Sequence, residues 1–451
     1  MSVHFIAIGG SAMHNLAIAM QKNGYKVTGS DDEIFEPSKS RLAKYGLLPK
    51  EEGWHPEKLS EDIDLIILGM HARPDNPELL KAREMGLKIY SYPEYLFQHA
   101  RHKKRVVIGG SHGKTTITAM VMHVLSKLKK DFDYLVGSKL KDFEVMVRLS
   151  DSAGIMIFEG DEYLSSPIDR RPKFHWYRPH IALLTGIAWD HINVFPTFEN
   201  YKSQFARFIE LMEDGGSLIY YGGDNILKEI VDKSKDTIEK TAYDTPEYEI
   251  SDDHVYVLSG AKKYPLRIFG KHNLQNLNGA RLVCNKLGID DDTFFKSMES
   301  FEGAAKRLEL IAENNGSKVY KDFAHAPSKV KATLEAVQER FRNKKIVACL
   351  ELHTFSSLNE KFLDQYKGSL DKADQACVYY SQHALEIKRL PMLDKETVKE
   401  NFGNKALTVV NSTDEVRQWL IEQKDKDTVF LLMSSGNFGG IDLDKFAKEL
   451  A

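Results

Sequence analysis

The sequence predicts an α/β protein of three domains, and three stretches carry that expectation. Val3–Ile8 is a short apolar run ended by Gly9-Gly10. A helical spacing follows through Leu16, Ala17, Ile18 and Met20, then a second strand at Val27-Thr28-Gly29. Arg105–Ile108 repeats the pattern, with a glycine turn and a helix from Thr115 to Leu128. The last third alternates again, with strands at Val319–Phe323, Lys345–Leu350, Ala376–Tyr380, Leu407–Val410 and Val429–Met433 and a helix at Ser328–Arg340. Short apolar runs closed by glycine and followed by helical periodicity read as parallel strands with crossover helices.

Further strands are expected at Ile63–Leu68, Lys88–Tyr90, Ile155–Phe158 and Ile181–Leu184, and a helix at Asn273–Leu287. Residues 222–270 mix short polar and β-type stretches and give no clear pattern. His99–Lys104 is charged and lacks apolar periodicity, and Phe301–Lys306 reads as a second linker. The expected domains are therefore 1–102, 103–304 and 305–451.

Composition narrows the function. The chain has 451 residues, 42% hydrophobic and 28% charged, with a net charge of −3. It can bury large cores, and it carries no electrostatic footprint for nucleic acid and no basic membrane face. No apolar run approaches the ~18 residues of a membrane span. The opening residues lack a basic segment and a cleavage site, so no secretory signal is expected. Cys284, Cys349 and Cys377 form no CxxC pair and read as reduced packing residues, which suits a cytoplasmic protein.

Gly110-Ser111-His112-Gly113-Lys114-Thr115-Thr116 follows the strand Arg105–Ile108. Phosphates need backbone N–H groups at turns only glycine makes, a helix N-terminus, an ammonium and a magnesium-binding hydroxyl. Lys114 and Thr115 supply the last two. The spacing departs from GxxxxGK, because Ile108 stands six before Lys114. Glu159, in Glu159-Gly160-Asp161-Glu162-Tyr163, is the first polar residue beyond its strand and so the expected magnesium ligand. Trp189-Asp190-His191 follows Ile181–Leu184 and offers His191 as a second metal ligand. Gly9, Gly10, Ser11, Ala12 and Met13, with Asp31 beyond them, have the shape of a diphosphate site with an acid for a ribose hydroxyl. GxGxxG is not satisfied there, because Ala7 and Ala12 take two of its positions.

With these motifs in place, the chain resembles the Mur ligase family from end to end. The resemblance implies a Rossmann-like N-terminal domain for a UDP-sugar, a central P-loop ATPase domain and a Rossmann-like C-terminal ligase domain. Gly270-Lys271-His272-Asn273-Leu274-Gln275-Asn276 is similar to the family's G-x-H-N-x-x-N segment, which places His272, Asn273 and Asn276 beside ATP. Arg307 matches an arginine near the phosphates. Asp322-Phe323-Ala324-His325-Ala326-Pro327 is similar to a run whose Asp322 and His325 approach the nucleotide. Thr115, Glu159 and His191 are then the implied Mg²⁺ ligands, and Lys114, His191 and Arg307 the implied catalytic residues.

The N-terminal glycine turn resembles the branch of the family that uses UDP-N-acetylmuramate itself. Glu159–Tyr163, Asp169–Phe174 and Met433–Gly440 resemble the subgroup that attaches the tripeptide L-alanyl-γ-D-glutamyl-meso-diaminopimelate in peptidoglycan recycling. Ligation of L-alanine is the alternative. Gly186, Ala188, Ala206 and Ala326 depart from the family pattern, and Glu351-Leu352-His353-Thr354 departs from the expected proline-arginine run. Arg170, Arg171 and Arg178 are candidates for substrate carboxylates, since a guanidinium pairs with them bidentately. The implied reaction uses ATP and Mg²⁺ to make an acyl phosphate, which an amine then attacks. A nicotinamide-linked oxidoreductase built on Gly9–Asp31 is the rival from another class, and it leaves Gly110–Thr116 and Glu159 without a role.

Overall fold

A computed structural model describes residues 1–140, 143–189, 194–303 and 307–451. The chain divides into two compact units. One holds Met1–Thr245 with Gln275–Met298; the other holds Pro246–Leu274 with Glu299–Ala451.

The first unit contains two sheets. A four-stranded parallel sheet runs in the order Lys26–Ser30, Ser2–Ile6, Leu65–Leu68, Ile89–Ser91. A seven-stranded sheet runs in the order Glu239–Tyr243, Ser217–Tyr221, Ile181–Leu184, Lys104–Gly109, Ile155–Glu159, Asp133–Leu135, Val147–Arg148. Its last pair is antiparallel and the rest are parallel. Parallel strands are covered on both faces, so their residues are apolar without alternation; all four residues of Leu65–Leu68 are buried. One hydrophobic cluster runs through both sheets, from Phe5 and Leu16 to Phe158, Phe174 and Phe208. Phe174 and Phe208 stack at 4.7 Å.

The first strand is shorter than the apolar run predicts. Ala7 turns at φ +69°, and the N–H groups of Ala7 and Ile8 both donate to the Ser30 carbonyl. The chain thereby leaves the sheet and enters the helix Ser11–Lys22. Residues 222–270 resolve into a helix, Asn225–Asp232, a strand, Glu239–Tyr243, and an antiparallel sheet in the second unit made of Tyr248–Ser251, His254–Ser259 and Lys262–Leu266. Asp252 and Asp253 turn its first hairpin with positive φ at both positions, the geometry that matches strand twist.

The second unit also holds a six-stranded sheet in the order Glu309–Asn314, Ser317–Asp322, Thr428–Met433, Lys345–Leu352, Gln375–Tyr380, Thr408–Val410. Only its first pair is antiparallel. Cys349 and Cys377 lie opposite one another on neighbouring strands as free, buried packing residues, as expected.

Inside the first unit the helix Ser11–Lys22 is pinned to the larger sheet. The side-chain carbonyl of fully buried Asn15 accepts from the Met146 N–H at 3.1 Å, and Asn23 donates to the Leu149 carbonyl at 2.8 Å. Glu144 gathers Lys22, Lys44 and the Tyr45 hydroxyl at 2.9, 2.8 and 2.6 Å. Asn15→Ala strands a buried N–H, so urea unfolding should show a loss of about 1–3 kcal/mol. An unchanged midpoint would remove Asn15 from this role.

Candidate active site

The strand Lys104–Gly109 delivers the loop Gly110–Gly113 to the start of the helix Lys114–Lys127. Two glycines there have no substitute. Gly110 has φ +114°, and a Cβ on it would meet the Thr185 hydroxyl at 2.2 Å. Gly113 caps the helix at φ +80°, and a Cβ would meet the Asn276 side chain at 2.4 Å. Ser111 is held by backbone: its N–H donates to the Gly186 carbonyl at 3.0 Å, its hydroxyl donates to the Ala188 carbonyl at 2.8 Å, and the Ala188 N–H donates to that hydroxyl at 2.7 Å. The departures at Gly186 and Ala188 thus still grip the loop, through main-chain atoms. His112 is exposed and Thr116 is buried at the helix start.

Two carboxylates face this loop. Glu159 ends the strand beside Lys104–Gly109, in register with Ile108. It accepts from the Thr115 hydroxyl and the Gly137 N–H, both at 2.8 Å. Burial pushes its pKa above the usual carboxylate value, against the pull of those two donors and of Lys114. Glu162, 1% exposed, binds the Lys114 ammonium at 2.7 Å and accepts from the Tyr201 hydroxyl at 3.2 Å. Tyr201 in turn lies 3.2 Å from the Ser111 hydroxyl. The expected metal ligand His191, with Asp190, lies outside the described residues. Among the described residues no group of three His, Cys, Asp or Glu side chains is arranged around a metal.

Gly10, Ser11, Ala12 and Met13 line the same cavity as Lys114 and Glu159, a space of about 390 Å³. Gly9 and Asp31 are not part of that wall. Asp31 is almost fully buried and serves the turn itself: one carboxylate oxygen takes the Gly9 N–H at 2.7 Å and the other its neighbour's N–H at 3.0 Å. The acid that the sequence offers for a ribose hydroxyl is therefore engaged with the main chain. Burial first, and then the adjacent Asp32, push it up to about 7.

The remaining nucleotide candidates fall in different units. Asn276 belongs to the first unit and touches Gly113. His272, Asn273, Arg307, Asp322 and His325 belong to the second. There Asp322 accepts from the Leu308 and Ala324 N–H groups, both at 2.7 Å, and burial raises its pKa. Burial lowers the pKa of His272, while Asp322 and Arg307 act on it in opposite senses. Arg307 sits 5.2 Å over the Phe323 ring. Asn273 donates to the Phe269 carbonyl at 2.9 Å, and His325 pairs with the Phe323 carbonyl at 2.8 Å. At the rim of the same sheet, buried Glu351 accepts from the Ser434 hydroxyl and, at 2.8 Å, from the Phe438 N–H. This joins the two C-terminal motifs in one place.

Arg170, Arg171 and Arg178 come together, but around a second cavity that shares no lining residue with the first. Sequence reasoning missed Gly69-Met70-His71, Lys173 and Tyr177, which line the first cavity. The first of these carries a usable signal, since it follows directly from the strand Leu65–Leu68, at the strand end where ligands of parallel sheets bind. Lys173 is tied to Asp161 at 2.5 Å; it stands within the Asp169–Phe174 stretch, whose likeness to the recycling subgroup singles out no role for this lysine.

Comparison with known proteins agrees along the whole chain. Residues 2–104 match the catalytic domain of the Mur ligase family, 108–284 the Mur ligase middle domain, and 306–436 the Mur ligase glutamate ligase domain. A UDP-N-acetylmuramate–L-alanine ligase of Sulfurihydrogenibium sp. is 29% identical, over 100% of this chain and 98% of that protein. The protein of the same name from Caldicellulosiruptor bescii is 30% identical, over 83% and 82%. Among solved structures, a UDP-N-acetylmuramate–alanine ligase from Thermotoga maritima superposes with TM-score 0.70 at 22% identity, covering 97% of this chain and 96% of that one. A murein peptide ligase from Psychrobacter arcticus gives 0.62 at 24%, covering 98% and 97%. At these identities the two structures establish the fold.

The Asp31 carboxyl sets a pH dependence of stability. Its ordinary value is 3.8 and its folded value about 7, so between them the folded chain holds a proton that the unfolded chain has lost. Stability should therefore fall as pH rises from about 4 to about 7, and Asp31→Asn should flatten that slope in thermal unfolding. A wild-type profile that rises over this range would contradict the assignment.

Proposed function

The chain belongs to the Mur ligase family of ATP-dependent ligases, and on that premise we propose that it joins the lactyl carboxylate of UDP-N-acetylmuramate to an amine through an acyl phosphate. The observation that carries this reading is the single cavity walled by the turn Gly10–Met13, by Lys114 and by Glu159. A diphosphate-bearing donor against that turn has its far end beside the phosphate loop. A carboxylate oxygen of the donor attacks the γ-phosphorus of ATP, the bond to the bridging oxygen breaks, and ADP leaves. The amine nitrogen then attacks the acyl carbon, inorganic phosphate departs, and the nitrogen gives up a proton.

Lys114 holds its charge where negative charge builds on the transferring group. A nucleotide arriving there replaces or shares its contact with Glu162. The Thr115 hydroxyl and Glu159 carboxylate are hard oxygen donors of the kind Mg²⁺ takes, and a bound Mg²⁺ would neutralise charge on the phosphates.

For the acceptor, L-alanine is the reading we favour. The curated relatives that align along the chain carry that name. This reverses the order expected from the sequence. The tripeptide is the second reading, supported by the likeness of Glu159–Tyr163 and Asp169–Phe174 to the recycling subgroup.

Phosphate release from ATP should require UDP-N-acetylmuramate and run faster with L-alanine than with the tripeptide at equal concentration; the opposite ranking would restore the tripeptide reading. Lys114→Ala should lower kcat/KM by at least ~100-fold, and turnover near wild type would defeat the proposal. Because burial raises the Glu159 pKa, its carboxylate charges more fully as pH climbs. The Mg²⁺ concentration for half-maximal rate should then fall with rising pH, and Glu159→Gln should abolish the trend. A pH-independent wild-type titration would count against Glu159 as a ligand.

A further inference from the structure

The short segment Arg171–Arg178 is a wall with two faces. Lys173 and Tyr177 line the cavity of the phosphate loop. Arg171, His175, Trp176 and Arg178 line a second cavity of about 520 Å³, completed by Arg170 and by Arg207 of the helix Phe198–Glu210.

The charge of this second cavity is unbalanced. Arg171 pairs with Asp169 through two bonds, at 2.8 and 3.0 Å, and lies 4.1 Å over the Trp176 ring. The indole N–H of Trp176 donates to the same carboxylate at 2.8 Å, so Asp169 is fully engaged. Glu213 is taken by Arg105 at 2.5 Å. Glu94 feels both Asp169 and Arg171, and it accepts from the Ser91 N–H. Among the described residues, Arg170, Arg178 and Arg207 make no ion pair. Arg178 is instead set against an aromatic face, 5.8 Å from the Phe97 ring, which leaves its N–H edges open. Buried His175 is tied to the Gln204 carbonyl at 2.8 Å, and burial lowers its pKa to about 4, so it is neutral at pH 7 and adds no charge.

Three unmatched guanidiniums around one concavity exceed what a single carboxylate needs. Guanidinium forks match the oxygens of a phosphoryl group, and a doubly charged anion gains from several of them at once. We propose that this cavity is a binding site for a small phosphoryl anion, separate from the phosphate loop. The bland alternative is a set of arginines that are merely solvated, and the experiment separates the two.

Inorganic pyrophosphate is titrated calorimetrically into the full chain carrying Lys114→Ala, which weakens the phosphate loop. The same titration is run with Arg170→Gln and Arg207→Gln added. Both arginines are exposed, so the double substitution should leave the thermal midpoint unchanged. The expected result is saturable binding that weakens at least ~10-fold when the two arginines are replaced. Equal affinity with and without them, or no saturable binding to the Lys114→Ala chain, overturns the proposal. Malonate, a dicarboxylate of similar span, is the control for ligand chemistry. Weaker binding than pyrophosphate supports a phosphoryl site, and equally tight binding overturns that assignment. If the double variant loses thermal stability, Arg178→Gln alone is substituted and must weaken pyrophosphate in the same direction.

Discussion

Two carboxylates withdrawn from water at the end of a parallel sheet set the terms for everything around them. Glu159 and Glu162 lie where a β-strand runs out of the core, and a buried charge persists only with a partner. Lys114 and the donors from Thr115, Gly137 and Tyr201 meet that demand. The same demand makes the place receptive to a cation and a polyphosphate, because each brings the charge that the others lack. The loop geometry follows. Gly113 turns left-handed into the helix that Lys114 begins, and only glycine fits there, because a Cβ would meet the Asn276 side chain.

The N-terminal sheet obeys a related logic in reverse. Asp31 is buried beside Asp32, and burial and that neighbour both favour its neutral form, although main-chain N–H groups from Gly9 and Asp32 pull the other way. Its work is to close the turn that presents residues 10–13. The turn then faces the phosphate loop because Asn15, Asn23 and Glu144 fasten the following helix to the larger sheet. The turn at residues 10–13 and the loop at 110–113 are thereby set within one packed body.

Legibility followed how local each signal was. The strand–turn–helix at Lys104–Lys127, the carboxylate at Glu159 and the alternation of the last third are each specified by neighbours in sequence, and the structure returns them with ends moved by one or two residues. The short strands Asp133–Leu135 and Val147–Arg148 carry too few residues to show a period. The antiparallel sheet within 248–266 was hidden because tyrosines, Tyr248 and Tyr264, share its inner face with Val257 and blur the apolar alternation. At the site, Lys173 and Glu162 escaped a functional reading because what matters about them is distance across the fold. Asp31 was read by type and spacing, and burial gave it a main-chain partner. The arginines of 170–178 were read as candidates for substrate carboxylates, but the cavity they line could not be foreseen, since Lys173 and Tyr177 of the same short segment face another one.

That segment has a consequence for how the protein changes over time. A replacement between positions 171 and 178 that reshapes one chamber acts on a residue whose chain neighbours wall the other. Drift there is constrained twice over, and a substitution tolerated on one side has to be compatible with a neighbour it never touches. Variation that reshapes the first chamber would therefore be expected to carry compensating changes on the far side of this strip, at Phe97 or along the exposed edge of the helix that bears Arg207.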